Sequence, residues 1–237
     1  MQRNSPGAGT LPGGAGHWRC NTGRDSSQHP GSDDFSAARQ GMITAAVILA
    51  AGFSNRMGQD KALLELGGMG ALERLVNRYQ AAGISRISVV AGRNYEALQQ
   101  LDLPVTLLHN QQPETGMFSS VRIGVVQLTE DVETFFVQPV DCPLVRVSTL
   151  HRLQEELQQR DVDALIPCCN GRKGHPPLLK AFLRERIAGY GGQDGLRGLL
   201  AGCSIGLVAV PDQGVLLGMN TPEQFQQLCR YLAEQAG

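Results

Sequence analysis

Residues 45–61 read AAVILAAGFSNRMGQDK and join an unbroken apolar run to a loop that contains glycine. The apolar part has the length and composition of a buried strand. Gly52 and Gly58 allow the backbone that follows to turn sharply and to approach a ligand closely. Successive backbone N–H groups in such a turn form a concavity for anions. Because Arg56 and Lys61 add two cations, we predict that this loop binds a triphosphate.

The composition limits the class of protein and its partners. A formal net charge of −1 over 237 residues gives no electrostatic reason to expect nucleic acid. The six cysteines contain no C-x-x-C pair, which favours reduced cytosolic thiols over a zinc site or a disulfide framework. No apolar run approaches the ~20 residues of a transmembrane helix, and the N-terminus lacks the apolar core of a signal peptide. We therefore expect a cytoplasmic protein that binds neither membranes nor nucleic acid.

Residues 1–41 differ from the remainder of the chain in composition. They are rich in Gly, Ser, Pro, Asn and Asp and poor in Val, Ile and Leu. Such a segment cannot bury enough apolar surface to offset the loss of chain entropy on folding. We predict a disordered N-terminal tail over residues 1–41 and a single folded domain over residues 42–237.

Within that domain, apolar runs of strand length alternate with helical patterns. The predicted strands span residues 45–51, 86–91, 105–109, 134–140, 164–167 and 206–210. The predicted helices span residues 71–82, 95–101, 118–128, 148–159 and 178–187, and Thr221-Pro222-Glu223 opens a last one. This alternation predicts an α/β fold with a mostly parallel sheet and helices on both faces. Ligands of such folds bind beyond the carboxyl ends of the strands.

The loop after the first strand resembles the signature of the MobA-like NTP transferases, a class of nucleotidyltransferases of the molybdenum cofactor. The P-loop and dinucleotide-binding glycine patterns are both absent from it. The resemblance covers nearly everything from Ile43 to the last helix and implies a three-layer, Rossmann-like nucleotidyltransferase fold. An ordinary βα loop with scattered basic residues is the alternative. The nucleotide-binding residues implied by the resemblance in this loop are Leu49, Ala50, Ala51, Gly52 and Gly58.

Asp141 follows the predicted strand 134–140, in the segment D-C-P-L-V. Mg²⁺ is commonly held by one or two carboxylates together with phosphate oxygens and waters, so a lone carboxylate at a strand end suits it. The segment resembles the family's metal-binding strand end, D-x-P-L-V, which implies that Asp141 is a catalytic ligand of Mg²⁺. The alternative is an Asp141 that only hydrogen-bonds the turn after it.

Residues 113–122, PETGMFSSVR, resemble the family segment G-M-x-S-S-x-R. In the family this turn and helix start lie against the base and the ribose, which implies nucleotide binding by Gly116 and Ser119. A helix N-terminus offers free N–H groups and hydroxyls to a polar ligand. A plain capped helix is the alternative.

Residues 170–177, NGRKGHPP, resemble the element G-R-x-G-H-P, which is typical of the branch that handles molybdopterin. The resemblance implies that Gly174, His175 and Pro176 contact the acceptor, an anionic pterin phosphate. A lone histidine with a structural role is the alternative. Asp194 matches the acid of a further motif, G-D-x-G-x-R-x-L-L, although an acid at a solvated helix start explains it equally well.

The end of the chain departs from the family pattern. The family carries D-x-D-T-P-E-D, whose second acid supplies a metal ligand, whereas residues 218–224 read GMNTPEQ. Asn220 therefore offers a neutral carbonyl oxygen to the metal where a carboxylate is expected. With one negative charge fewer, weaker binding of Mg²⁺ is predicted. The alternative is that Asn220 simply caps the last helix beside Thr221 and Pro222.

The resemblance implies a magnesium-dependent enzyme that transfers CMP from CTP to the phosphate of molybdopterin cofactor and releases pyrophosphate. Arg56, Lys61 and Asp141 are its implied catalytic residues. CTP is implied because the branch that uses GTP tends to carry L-A-G-G where this chain has L-A-A-G, and Cβ of Ala51 would crowd a larger base.

The sequence is also compatible with two other functions and suggests one further partner. The first alternative is a nucleotidyltransferase that acts on a sugar phosphate or another small phosphate. The second is a catalytically weakened chaperone that binds molybdenum cofactor, and Asn220 is the residue that favours it. A recipient molybdoenzyme is the further candidate partner.

Overall fold

Strand β1 (Thr44–Leu49) lies near the middle of the central sheet in a computed structural model that describes residues 42–52 and 59–236. Arg56, Gly58 and the predicted tail lie outside these ranges. All six residues of β1 are buried, as expected for a strand covered on both faces. None of the helices within the described ranges is long and apolar enough to cross a membrane.

The other strands are short, and most of them are parallel to β1. Their bounds are β2 Glu65–Leu66, β3 Met69–Gly70, β4 Arg86–Ala91, β5 Thr106–His109, β6 Thr134–Pro139, β7 Ala164–Cys169, β8 Arg172–Lys173, β9 Leu178–Lys180 and β10 Ile205–Ala209. The main sheet has the order β10-β7-β9-β6-β1-β4-β5, with β8 paired to β7. Strand β9 is antiparallel to both of its neighbours, whereas β1, β4, β5 and β6 pair in parallel. Strands β2 and β3 form a separate hairpin.

Helices cover both faces of the sheet. Their bounds are α1 Ala71–Ala81, α2 Tyr95–Gln99, α3 Met117–Val126, α4 Val147–Gln159, α5 Leu183–Gly189, α6 Gly195–Leu200 and α7 Pro222–Ala236. Ala46 and Ile48 of β1 share one core with α1, α2 and α4, and Val47 and Leu49 share another with α3, α5 and α6. The predicted three-layer, mostly parallel α/β fold is confirmed.

One predicted helix is wrong in its first part. The sequence predicts one helix over residues 178–187, but Leu178–Lys180 form β9 and the helix begins at Leu183. Leu178 and Leu179 are both fully buried, because β9 is inserted between β6 and β7 and is covered on both faces. A short apolar run of this kind has no periodicity that separates a strand from a helix. For the other predicted strands and helices before α7, the first and last residues both lie within two residues of the observed bounds.

The sheet register brings the carboxyl ends of the central strands together. Leu49 at the end of β1 is opposite Pro139 at the end of β6 and Val90 of β4. The backbone continues this pairing for one residue, since Val140 N donates to Leu49 O at 3.1 Å and Ala50 N donates to Val90 O at 2.8 Å. The loops after β1 and β6 therefore leave the sheet side by side.

Candidate active site

A cavity of about 330 Å³ opens at this carboxyl edge. Its walls come from the loops after β1 and β6, the start of α3 and the segment before α7. The lining residues are Leu49, Ala50, Ala51, Gly52, Asp60, Lys61, Pro113, Glu114, Gly116, Met117, Ser120, Pro139, Val140, Asp141 and Asn220. Most of the predicted nucleotide residues that the structure describes, together with Asp141 and Asn220, thus lie around one space.

Asp141 lines this cavity in a turn that backbone hydrogen bonds hold in place. Cys142 N donates to Pro139 O at 3.2 Å and closes the turn after β6, and Met219 N donates to the carbonyl oxygen of Asp141 at 2.9 Å. The turn is therefore closed by backbone groups, and the Asp141 carboxylate faces other side chains. It is 19% exposed and lies 3.5 Å from Nζ of Lys61.

Lys61 brings Asp141 and Asn220 to one point. Its Nζ donates to Oδ1 of Asn220 at 2.7 Å, in addition to its ion pair with Asp141. The turn that carries Lys61 is fixed by Asp60, whose side chain accepts a hydrogen bond from Ala62 N at 2.9 Å. One carboxylate, one amide oxygen and one ammonium group thus converge from three segments that are distant in sequence.

This donor set fits Mg²⁺ when a phosphate ligand completes it. The Asp141 carboxylate and Oδ1 of Asn220 both lie within 3.5 Å of the same ammonium group, so the fold already directs both oxygens at one cation. Mg²⁺ is usually bound by one or two protein carboxylates, with waters and substrate phosphates supplying the other ligands. Within residues 42–52 and 59–236 there is no cluster of three or more His, Cys, Asp or Glu side chains that would form a closed protein cage.

The Cys142 thiol adjoins the site beside the Asp141 carboxylate. Its Sγ lies 3.6 Å from Oδ1 of Asp141. Burial raises the pKa of the Cys142 thiol well above its ordinary value, and the Asp141 carboxylate acts in the same direction.

Asn220 does not cap the last helix in this structure. Helix α7 begins at Pro222, and the hydroxyl of Thr221 accepts a hydrogen bond from Gln224 N at 3.3 Å. The backbone N–H of Asn220 donates to the Gln224 side chain at 2.7 Å, which leaves its own amide group directed at Lys61. Thr221 is thus the capping residue, and Asn220 belongs to the cavity.

A buried asparagine that sequence reasoning missed organises the other side of the cavity. Asn110 is 2% exposed, follows β5 directly, and donates to the hydroxyls of Ser119 at 2.8 Å and Ser120 at 2.9 Å. Ser120 lines the cavity, whereas the Ser119 hydroxyl donates to Gly116 O at 2.8 Å. The signal was present in the sequence, because Asn110 ends a predicted strand in the same way that Asp141 does.

A second cavity of about 260 Å³ shares the walls Leu49, Met117 and Pro139 with the first. Its walls are largely apolar, and its polar side chains are His175, Asp194 and Arg197. Of the predicted acceptor residues, His175 therefore reaches this space directly. Gly174 and Pro176 are buried behind it in the same loop.

The surroundings of His175 favour its neutral form. Although part of the imidazole reaches solvent, desolvation by the surrounding protein lowers the pKa of His175, and the Asp141 carboxylate opposes that shift only in part. A pKa below the usual value of about 6.5 leaves the ring uncharged at pH 7. His175 can then offer a ligand a hydrogen bond, while positive charge in this cavity comes from Arg197.

Comparison with known protein families and curated proteins gives consistent results. A family model described as the MobA-like NTP transferase domain matches residues 46–208. A protein named molybdenum cofactor guanylyltransferase from Xanthomonas euvesicatoria pv. vesicatoria is 31% identical over 191 residues, which cover 77% of this chain and 92% of that protein.

Two solved structures share the fold at low sequence identity. A nucleotidyl transferase from Methanothermobacter thermautotroptrophicus has a TM-score of 0.70 and 22% identity, over 82% of this chain and 100% of that one. A molybdopterin-guanine dinucleotide biosynthesis protein A from Archaeoglobus fulgidus has a TM-score of 0.62 and 16% identity, over 80% and 99% of the two chains. At these identities the likeness concerns the fold alone.

Proposed function

The chain belongs to the MobA-like NTP transferase family, and on this premise we propose that it transfers CMP from CTP to the phosphate of molybdopterin cofactor and releases pyrophosphate. One observation carries the proposal. Two adjoining cavities share three lining residues. The first cavity is lined by Lys61, Asp141 and Asn220, and the second is lined by His175. A nucleotide triphosphate and a phosphorylated acceptor can therefore meet at the shared wall.

The chemistry is a single in-line displacement. An oxygen of the acceptor phosphate attacks the α-phosphorus of CTP, the bond from that phosphorus to the bridging oxygen breaks, and pyrophosphate leaves. Such transfer depends on positioning and on stabilisation of charge. Lys61 neutralises phosphate charge, and Asp141 and Asn220 are the residues that would hold Mg²⁺. Bound Mg²⁺ would offset the negative charge of the phosphate oxygens.

The acceptor assignment is supported by the second cavity and by the names of relatives. The apolar walls of the second cavity suit the flat heteroaromatic ring of a pterin. Arg197 offers positive charge to the phosphate of that acceptor, and the neutral His175 offers it a hydrogen bond. The Xanthomonas relative is named for molybdenum cofactor. Arg56, which lies outside the described residues, is proposed as a second cation for the triphosphate.

One observation favours GTP as the nucleotide substrate, and another favours CTP. The curated relative is named a guanylyltransferase, which favours GTP. In this chain, Ala51 lines the nucleotide cavity, and Gly92 adjoins it so closely that a Cβ on Gly92 would lie 3.0 Å from the carbonyl oxygen of Ala51 and 3.2 Å from its Cβ. Gly92 directly follows β4, and its closeness restricts movement of Ala51 in that direction when a larger base binds. This confinement supports CTP.

Replacement of Ala51 by glycine is expected to shift selectivity towards GTP. Removal of one methyl group from a binding pocket changes discrimination by roughly tenfold or more, so kcat/KM for GTP relative to CTP should rise by about that factor. The control is Ala91→Gly, since Ala91 is also buried at a strand end but does not line the cavity. An unchanged ratio in Ala51→Gly would remove Ala51 from base selection.

Replacement of Asn220 by aspartate is expected to reduce the Mg²⁺ concentration that gives half-maximal activity, by roughly threefold or more. The added carboxylate lies beside Asp141 and Lys61, and the attraction of the ion to ligand charge dominates such sites. A magnesium titration of the initial rate measures the change. Asn77→Asp adds the same charge on the exposed face of α1 and serves as the control. Identical curves for wild type and Asn220→Asp would exclude Asn220 from the metal site.

The proposed function is tested by measuring pyrophosphate release with each NTP, with and without molybdopterin cofactor. We expect release with CTP and only when the acceptor is present. Release with GTP would assign the chain to the guanylyl reaction of its named relative. Consumption of CTP or UTP with a sugar phosphate alone would support the first alternative, and binding of the cofactor without release would support a chaperone.

A further inference from the structure

Asp212 is a fully buried carboxylate to which the proposed reaction gives no role. It is 1% exposed, and it follows β10 after Val210 and Pro211. Burial of a carboxylate is costly unless its charge is paired and its oxygens accept hydrogen bonds. A side chain of this kind must therefore be held by a dense set of partners, and those partners show which parts of the fold it joins.

The Asp212 carboxylate joins the start of α4 to a single-turn helix at Gln213–Leu216. Oδ2 accepts hydrogen bonds from the backbone N–H of Arg146, the N-cap residue of α4, at 2.9 Å and from the Thr149 hydroxyl in its first turn at 2.7 Å. Oδ1 accepts from Gly214 N at 2.9 Å, and Nε of Arg146 lies 3.9 Å from the same oxygen. Residues 141–146 connect Asp141, the proposed metal ligand, directly to the start of α4.

We define the strap as residues 212–220, which run from Asp212 to Asn220. Its middle holds the loop that carries Gly174, His175 and Pro176, which we call the acceptor loop, because His175 N donates to Val215 O at 2.8 Å. The packing there leaves no space: a Cβ on Gly174 would lie 2.5 Å from Val215 O, and a Cβ on Gly214 would lie 2.1 Å from Leu144 O. A shift of the strap therefore moves His175 with it.

The far end of the strap holds the phosphate side of the site. Met219 N donates to Asp141 O at 2.9 Å, and Oδ1 of Asn220 accepts from Nζ of Lys61 at 2.7 Å. The strap thus contacts the acceptor loop, the Asp141 turn and Lys61 within nine residues. Asp212 fastens its near end, and the backbone of Met219 fastens its far end.

We propose that Asp212 is a positioning residue that fixes the distance between the acceptor side and the phosphate side of the site through the strap. This inference rests on the proposed function for its kinetic consequence, whereas its structural consequence is independent of it. Misplacement of reacting groups by about 1 Å can cost 10²-fold in rate. Removal of Asp212 should therefore impair transfer through His175 and Asp141, neither of which it contacts directly.

The structural arm of the test is amide hydrogen exchange of the full chain with Asp212→Asn. An amide in place of the carboxylate sets a donor against Arg146 N or Gly214 N. We expect exchange at the His175 and Met219 amides to accelerate about tenfold or more, with less than about a twofold change at Ala50 and Asn110. The latter amides donate to Val90 O and Ala91 O across the sheet and lie outside the strap. Equal acceleration at all four amides, or none at any, would overturn the proposal.

Two more variants keep the test decisive if Asp212→Asn fails to fold. Thr149→Val removes one donor to Asp212 and should reproduce the same exchange pattern at smaller amplitude. Asp163→Asn is the matched control, because Asp163 also accepts a loop amide, that of Ser204 at 2.8 Å, but does so at the other end of β7 and β10. Acceleration at His175 and Met219 in Asp163→Asn would show a general loss of stability and contradict the strap.

The kinetic arm measures kcat/KM for molybdopterin cofactor in the same variants. Loss of residues that orient a binding group typically costs 10–100-fold, so we expect a fall of about tenfold or more in Asp212→Asn and little change in Asp163→Asn. Wild-type kinetics together with selective exchange would overturn the positioning role. If wild type itself does not use this acceptor, the proposed function fails while the exchange result still decides whether the strap exists.

Discussion

Asp141→Asn is expected to reduce nucleotidyl transfer by at least about 100-fold while the protein stays folded. Asp141 supplies the carboxylate at the point where Lys61 and Asn220 converge, and asparagine keeps its size but removes its charge. No ionised oxygen would remain in the Asp141 and Asn220 pair to hold Mg²⁺, and the Lys61 ammonium would lose its ion pair. Removal of a single preorganised charge stabiliser commonly costs 10²–10³-fold. Pyrophosphate release at saturating substrates and high Mg²⁺ measures the loss.

A carboxylate at the opposite end of the sheet provides the control for Asp141→Asn. Asp131 forms a 2.5 Å ion pair with Arg86, and that pair lowers the pKa of the Asp131 carboxyl. Exposed pairs of this kind contribute little to stability, so Asp131→Asn should keep full activity. A rate for Asp141→Asn within about threefold of the Asp131→Asn rate would remove Asp141 from catalysis, since a metal ligand costs far more.

The second large effect is expected for Lys61→Met, with a loss of roughly 10²-fold or more in kcat/KM for CTP. Methionine retains much of the apolar stem of lysine, so the measured loss reports on the ammonium group that lines the nucleotide cavity. The lysine side chain is only 18% exposed, and its charge acts where water screens it weakly. Steady-state kinetics with varied CTP give the effect.

Lys180→Met serves as the matched control for Lys61→Met. Lys180 forms a 4.0 Å pair with Asp161 at the end of β9 and lies away from both cavities. We expect it to leave kcat/KM unchanged. Normal turnover of CTP by Lys61→Met would contradict the assignment of Lys61 to the triphosphate.

The elements that frame the nucleotide cavity could be predicted because their signals are local. Composition alone predicts the apolar strand that ends at Leu49 and the strand that ends before Asp141. Parallel pairing then places their loops side by side, as the register of Leu49 with Pro139 shows. The loop residues Arg56 and Gly58 lie outside the described structure, so their roles stay predictions.

The parts that sequence reasoning missed depend on contacts between distant segments. Strand β9 is defined by the gap that it fills between β6 and β7, and its three residues carry no period of their own. The contact of Lys61 with Asn220 spans 159 residues, and that of Asp212 with Thr149 spans 63. A polar residue just after a predicted strand was nevertheless a usable signal, since Asn110, Asp141 and Asp212 all have this placement.

Radiolabelled CTP shows which phosphorus of the nucleotide is attacked. The protein is incubated with Mg²⁺, molybdopterin cofactor and CTP labelled with ³²P at either the α or the γ position, and the products are separated. We expect the α label in the pterin product and the γ label in pyrophosphate, in equal amounts. Release of the γ label as inorganic phosphate, with no α label in the pterin, would mean that the γ-phosphorus is attacked and that CMP is not transferred.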